Sequence, residues 1–248
     1  MVGDRFSAFL ALLGLSGALS ASAAAAASAA PADPAQPFTV QDLVRLERIS
    51  EIASSPDGKR VAYTLRTTDM EANKGRTSIW LADTGRRPAA GQRLTDLAAN
   101  SSGAEWSADG RFVYFLSNRS GSTQVWRVSS GGGVPGADAL QVTNLPLDVG
   151  TFRVSPKGDR IVVSVEVYSD CTDLACTKQR LDAAAHSKAS GVLYQQLFVR
   201  HWDTWSDGRR SQLYSMMLDD VARGEPVKLT GGIGDVPGKP FAVGSRGT

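Results

Sequence analysis

The sequence predicts an all-β protein: a partial β-propeller of about three to four blades, each of four antiparallel strands, preceded by one short helix. Three observations support this fold class. A pattern recurs about every 50 residues, each copy contains a tight turn, and a β-branched or aromatic run follows each turn. This repeat length is typical of propeller blades rather than helical solenoids. Frequent Gly and Asn breaks also disfavour long amphipathic helices.

The composition is that of an ordinary globular protein. Its 248 residues carry a formal net charge of +2, and 42% are hydrophobic and 21% charged. These values exclude a disordered or collagen-like chain, and the small net charge argues against a nucleic-acid partner. Only two histidines and two cysteines are available for metal or nucleophile chemistry. We therefore expect neither a metal nor a cofactor.

The first 30 residues are predicted to be an export signal. An apolar stretch from Phe6 to Leu19 follows Arg5, and small residues at 21–23 and 28–30 fit signal-peptidase cleavage. The stretch is too short to span a bilayer comfortably, and its position at the N-terminus disfavours the alternative of a buried helix. We expect an exported protein, periplasmic or secreted, with no membrane span after cleavage.

The predicted division of the chain follows the repeat. An Ala- and Pro-rich linker is expected to join the signal to the folded part. The predicted boundaries are a signal peptide at 1–30, a linker at 31–37, a propeller domain at 38–248, and blades at roughly 50–100, 101–149, 150–232 and, as the start of a fourth, 233–248.

The tight turn is the most regular part of each repeat. Its glycine supplies the positive φ that other residues resist, and its Asp is a common turn residue. A strand is predicted directly after each turn. The three copies are Ser55-Pro56-Asp57-Gly58, Ser107-Ala108-Asp109-Gly110 and Ser155-Pro156-Lys157-Gly158.

A second strand and a closing Thr complete each repeat. The second strand carries an aromatic residue at an equivalent position, Trp80, Trp126 or Tyr214, for which packing between blades is the favoured role. Each repeat then ends on Leu or Val followed by Thr, at Thr95, Thr143 and Thr230. Ahead of the first repeat, residues 39–49 are predicted to form a short helix capped by Thr39, with Leu43, Val44 and Leu46 on its apolar side.

The third repeat contains an insertion between Val167 and Arg210. It includes a helix-compatible stretch at 177–187 and the only two cysteines, Cys171 and Cys176. In an exported chain this spacing favours a local disulfide. Free thiols are the alternative, and zinc is disfavoured because no further Cys or His pair completes a tetrahedral set.

Two segments and the repeated turns resemble one enzyme family. They are Val40-Gln41-Asp42-Leu43 before the first blade and, more specifically, the stretch from Arg200 to Arg209 with Leu213-Tyr214 after it. With these features, residues from about Phe38 to Pro240 resemble the N-terminal propeller of exported bacterial serine peptidases of the prolyl oligopeptidase family. The most similar subgroup is that of dipeptidyl aminopeptidases and acylaminoacyl peptidases.

The resemblance implies a two-part enzyme. In this family a propeller covers an α/β-hydrolase domain, limits access to short peptides and helps to shape the pocket. The hydrolase domain carries a Gly-x-Ser-x-Gly nucleophile, then Asp and His. The sequence has no such motif; Gly244-Ser245-Arg246-Gly247 has the wrong spacing. The expectation is therefore a truncated or frame-shifted chain that ends before the catalytic domain, leaves the ring of blades open, and is inactive alone.

Candidate site residues cluster in the segment that carries the resemblance. His201, Trp202, Asp203 and Trp205 could line a peptide entrance or contact the hydrolase domain, although packing against the blade is the favoured alternative. Glu105 and Glu166 could each bind a substrate amino group. Asp57 and Asp109 are interpreted as turn residues rather than metal ligands, and no catalytic residue is predicted.

A second functional hypothesis comes from a different class of protein. A periplasmic binding module similar to TolB would have the same blades and would recruit a protein partner. It predicts a closed ring or an obligate oligomer, and stable binding without an enzyme. The first hypothesis instead names short peptides and an α/β-hydrolase domain as partners.

Overall fold

The structure is a computed structural model. It describes residues 37–85, 91–189, 191–194, 200–201, 204–205, 207–219 and 221–230. By its internal contacts the chain divides into two units, 1–39 and 40–248. The second unit contains every helix and strand of the described residues. The description below concerns this unit.

The second unit contains three four-stranded antiparallel sheets, which confirms the predicted all-β fold with propeller-type blades. In each sheet the strands follow one another in sequence order. Blade 1 consists of β1 (Arg48–Ser54), β2 (Arg60–Asp69), β3 (Lys74–Asp83) and β4 (Gln92–Arg93). Blade 2 consists of β5 (Ser101–Trp106), β6 (Phe112–Ser117), β7 (Gln124–Ser129) and β8 (Leu140–Gln141). Blade 3 consists of β9 (Val149–Val154), β10 (Arg160–Tyr168), β13 (Arg209–Leu218) and β14 (Ala222–Lys228).

The remaining elements of the described residues are two helices and one small hairpin. Helix α1 (Val40–Arg45) precedes blade 1. Helix α2 (Leu174–Ala185) and the hairpin of β11 (Arg200–His201) and β12 (Thr204–Trp205) lie between β10 and β13. The third blade therefore contains a long excursion between its two central strands.

The repeated turn joins the first two strands of each blade. In blade 1 the Gly58 N–H donates to the Ser55 carbonyl at 2.9 Å, and Gly58 has φ 68°. The Asp57 carboxylate accepts from the Ser55 hydroxyl at 2.6 Å and from the Lys59 N–H at 3.1 Å. An equivalent turn bond links Gly110 to Ser107. The turn signal in the sequence thus marks the reversal between the first and second strands.

Because side chains alternate along a strand, one face of each blade points toward the preceding blade and the other toward the following blade. On β6 the buried Val113 and Phe115 face blade 1, whereas Tyr114 faces blade 3. This alternation follows from the two-residue period of a strand. It produces two apolar cores, one between blades 1 and 2 and one between blades 2 and 3.

Hydrogen bonds reinforce both junctions. The Glu51 carboxylate, at a bulge in β1, accepts from the Gly103 N–H of β5 at 2.8 Å and from the Thr64 hydroxyl at 2.9 Å. The Glu105 carboxylate on β5 accepts from the Val154 N–H at 3.0 Å and from Arg153 at 3.2 Å. Strand β1 of blade 1 is therefore hydrogen-bonded to β5 of blade 2, and β5 is hydrogen-bonded to β9 of blade 3.

The N-terminal helix differs from its prediction. It ends at Arg45, and Arg48 already begins β1, so the predicted helix at 39–49 is too long. Its apolar residues are not packed: Leu43 and Leu46 are exposed. The sequence pattern of apolar residues continues into β1, where strand pairing with β2 replaces the helical period.

The aromatic residues of the third strands take the equivalent positions that the repeat predicts. Trp80, Trp126 and Tyr214 pair with Tyr63, Phe115 and Val163, which occupy matching places in their blades. Tyr214 is buried and Trp126 packs against the first core. Trp80 lies on the face of blade 1 that points away from blade 2 and is half-buried.

Candidate functional site

The insertion of blade 3 leaves the sheet at one end of the blade. It begins after Tyr168, where β10 ends, and returns at Arg209, where β13 begins. By strand order, this is the end of the blades at which β2 turns into β3 and β6 turns into β7. The described residues of the insertion therefore leave and re-enter blade 3 at this end, whereas Glu105 lies near the opposite end, where β5 turns into β6.

Helix α2 is fixed to the end of β10. Cys171 and Cys176 form a disulfide that joins the end of the strand segment to the first turn of the helix. The Asp173 carboxylate caps the helix by accepting from the Cys176 N–H at 2.7 Å. Leu174 is buried in the second core, and the buried Thr177 hydroxyl accepts from the Tyr168 N–H at 3.2 Å. The helix is thus held by covalent, polar and apolar contacts together.

A cationic side chain covers the junction between strand and helix. The Arg180 guanidinium lies 3.8 Å from the centre of the Tyr168 ring and forms an ion pair with Asp170 at 2.6 Å. The Arg180 guanidinium lowers the pKa of the Asp170 carboxyl below its ordinary value. Both charged side chains are exposed, so the ion pair restrains the junction between β10 and α2 more than it stabilises the fold.

The predicted gate residues are only partly described. Trp205 is 57% exposed, and its ring stacks on Tyr194 with centroids 6.0 Å apart. The backbone of His201 pairs with Thr204 in the β11–β12 hairpin. Trp202 and Asp203 lie outside the described residues. Trp205 is therefore an exposed aromatic surface supported by a second ring, in contrast to the buried packing that the sequence favoured.

The two glutamates proposed as amine ligands are both engaged by arginine. Burial raises the pKa of Glu105, although the Val154 N–H and Arg153 oppose the shift. Glu166 lies 3.5 Å from Arg209, whose guanidinium also pairs with Asp207 at 2.6 Å. Glu105 acts between blades 2 and 3, whereas Glu166 lies beside the insertion. The structure does not bring these two carboxylates together.

The aspartates of the turns act as turn residues. The Ser107 hydroxyl and the Arg111 N–H hold the pKa of Asp109 well below its ordinary value, and a bond from Ser55 lowers that of Asp57. Among the residues that the structure describes, no group of three or more His, Cys, Asp or Glu could hold a metal ion. In the same residues, no helix is long and apolar enough to cross a membrane.

Sequence reasoning missed Glu51 as a residue that joins blades. Its φ of 53° is unusual for a residue with a side chain, and the bulge directs its carboxylate to blade 2. One signal was available: Glu51 and Gly103 each lie four residues before the turn serine of their repeat.

The sequence matches curated peptidases, although no family model matches. It is 26% identical over 226 residues to dipeptidyl-peptidase 5 of Porphyromonas gingivalis, covering 82% of this chain and 28% of that protein. It is also 26% identical over 196 residues to the uncharacterized peptidase YuxL of Bacillus subtilis, covering 77% of this chain and 27% of that protein. This chain is related in sequence to peptidases. It spans about 28% of the length of the dipeptidyl-peptidases it matches.

Solved structures agree on the fold of this peptidase-related propeller. Acylaminoacyl peptidase of Pyrococcus horikoshii superposes with a TM-score of 0.51 at 12% identity, covering 75% of this chain and 26% of that chain. Two structures of the AtxE2 isopeptidase superpose with TM-scores of 0.52 and 0.51 at 18% identity, covering 76–77% of this chain and 32% of that chain. At these identities the likeness concerns the blades alone.

Proposed function

We propose that this chain is the propeller portion of an exported serine exopeptidase of the dipeptidyl or acylaminoacyl peptidase type. In this role it admits and selects short peptides for an α/β-hydrolase domain. The observation that carries the proposal is the match to dipeptidyl-peptidases over 82% of the chain. Export is part of the proposal and is supported by the apolar N-terminal stretch.

Two features of the described residues support a gating role. The insertion places an exposed Trp205, backed by Tyr194, at one end of blade 3. Aromatic rings of this kind bind the apolar side chains of peptides while their edges remain in water. In the same insertion, the disulfide and the buried Leu174 hold α2 at the end of β10. An aromatic surface held at the end of a blade is better suited to selecting peptides than to catalysing their cleavage.

The proposal predicts binding without catalysis. The purified chain is incubated with chromogenic aminoacyl and dipeptidyl substrates, and we expect no hydrolysis because the sequence contains no Gly-x-Ser-x-Gly. Titration calorimetry with short apolar peptides should show weak binding, and Trp205→Ala should weaken it about 2- to 13-fold, as for loss of one aromatic contact. Val134→Ala, an exposed residue between β7 and β8, is the matched control.

Two outcomes would contradict the proposal. Inhibitor-sensitive cleavage by the chain alone would show that it carries its own chemistry. Stable binding of a folded protein, with no response to peptides, would favour the binding-module hypothesis instead.

A further inference from the structure

Helix α2 is attached to blade 3 through its first turns. Its two buried side chains, Leu174 and Thr177, belong to the first four residues of the helix. Leu181, one turn further on, is half-buried against the core between blades 2 and 3. The residues that follow, 182–189, are all exposed. The contacts that hold the helix are therefore concentrated beside the disulfide of Cys171 and Cys176.

The disulfide determines whether the helix keeps this position. Cys171 is buried, and its N–H donates to the Tyr168 carbonyl at 3.1 Å, so one half of the bond is fixed to the end of β10. A helix of 12 residues is only marginally stable in water on its own. Without the bond, α2 depends on its two buried side chains and on the exposed ion pair of Arg180 with Asp170, which contributes little.

The other half of the bond is open to attack by a thiol. Cys176 is half-buried, and its neighbours Asp173 and Ala175 are exposed. Cys176 lies three residues after the N-cap, where the N–H groups and the dipole of the helix stabilise a thiolate. A thiolate that is stabilised in this way is a good leaving group in thiol–disulfide exchange. Both properties favour a disulfide that exchanges with thiols over a purely structural one.

We propose that this disulfide is a redox switch, which a thiol reductant opens in the folded chain to release α2 from blade 3. A thiolate of the reductant attacks the Cys176 sulfur, the bond to Cys171 breaks, and the Cys171 thiolate takes up a proton. A second thiolate then attacks the reductant's sulfur in the mixed disulfide and expels the Cys176 thiolate. The reductant loses two electrons and becomes a disulfide, while the two cysteines are reduced. Oxidation reverses these steps and docks the helix again.

Release of α2 loosens the aromatic surface of the insertion. Tyr194, which stacks on Trp205, comes nine residues after Ala185, the last residue of α2. With the helix released, the fixed point before Tyr194 is Tyr168, which lies 26 residues away. The probability that the two rings meet then falls about fivefold, because loop closure weakens as the three-halves power of loop length. This consequence for peptide binding rests on the proposed function, whereas the redox step does not.

Reduction of the folded chain tests the switch. The chain is incubated in glutathione buffers of increasing reduced fraction, without and with urea, and its free thiols are alkylated with N-ethylmaleimide and counted by mass spectrometry. We expect the bond to reach equilibrium with glutathione in the folded chain, at a rate within about tenfold of the rate in urea, as for an exposed regulatory disulfide. A bond that stays oxidised until urea unfolds the chain would overturn the proposal.

Hydrogen exchange reports whether reduction releases the helix. In the reduced chain, α2 should exchange at least about tenfold faster than in the oxidised chain, whereas β6 and β7 should exchange equally in both. The double variant Cys171→Ser with Cys176→Ser removes the only two cysteines. It should therefore match the reduced chain in either buffer. Unchanged protection of α2 after reduction would contradict the switch.

A variant outside the disulfide tests the coupling between bond and helix. If the bond supports the docking of α2, docking supports the bond by the same factor. Leu174→Ala weakens docking and should shift the glutathione equilibrium toward the reduced form at least about fivefold. Leu97→Ala, which changes an exposed leucine in the loop after β4, is the matched control and should leave the equilibrium unchanged. The same equilibrium in Leu174→Ala as in wild type would count against the coupling.

Peptide titration separates this proposal from the proposed function. The oxidised chain should bind short apolar peptides about fivefold more tightly than the reduced chain. If neither form binds peptides while α2 still responds to glutathione, the proposed function fails and the switch stands. Equal peptide affinities of the two forms would refute the link between the switch and the aromatic surface.

Discussion

Glu105 shows how a single residue joins two blades at an electrostatic cost. Its carboxylate bonds to the Val154 N–H and to Arg153 in blade 3. Burial nevertheless raises its pKa above the ordinary 4.5. The folded chain therefore keeps this proton to a higher pH than the unfolded chain does. Since the folded state then binds more protons, stability falls as the pH rises through the interval between the two pKa values.

We expect Glu105→Gln to stabilise the fold relative to wild type at neutral pH, and to stabilise it less in acid. The amide keeps a hydrogen-bond acceptor for the Val154 N–H but has no charge to desolvate. The free energy of unfolding of the variant, relative to that of wild type, should therefore rise from about pH 4 to pH 7. Urea unfolding at each pH measures this difference. Glu105→Ala is the control: it removes the same titrating group, so its difference from wild type should change with pH in the same direction, but it should be less stable than Glu105→Gln by about 1–3 kcal/mol, because the Val154 N–H loses its partner. A pH-independent difference for Glu105→Gln would contradict the account.

At the scale of elements, the insertion of blade 3 is held at its base. The disulfide of Cys171 and Cys176 closes a short loop beside the buried Leu174 and Thr177. The sequence predicted this pairing from spacing and export, and placed a helix at 177–187. The helix begins earlier, at Leu174, because the Asp173 carboxylate caps it. An N-cap residue can be recognised in a sequence, but whether it caps a helix depends on where the disulfide turns the chain.

Replacing both cysteines should loosen the insertion and leave the blades intact. For Cys171→Ser combined with Cys176→Ser, the chain-entropy argument gives a loss of about 2 kcal/mol for so short a loop. Hydrogen exchange should rise in α2, whereas β6 and β7 should keep their protection. Ser155→Ala, in the turn at the other end of blade 3, is the matched control. Loss of protection throughout blade 2 would contradict a local role for the disulfide.

At the scale of the whole molecule, the repeat determines the architecture. The turn glycines and the β-branched runs after them were sufficient to predict the blades, because a tight turn and a strand are local structures. The contacts between blades were not predictable in this way. Glu51 and Arg60 act on residues about 50 to 70 positions away, and only the pairing of blades brings these groups together. The exposure of Trp205 likewise depends on tertiary placement.

Hydrogen exchange followed by mass spectrometry along the chain tests the central claim most directly. Three like blades predict three pairs of protected strands, β2 with β3, β6 with β7, and β10 with β13, the last pair divided by the insertion. Faster exchange is expected in the turns at 55–59, 107–111 and 155–159 that precede these pairs. Protection that is confined to one region, or that runs unbroken through any of these three turns, would contradict the account.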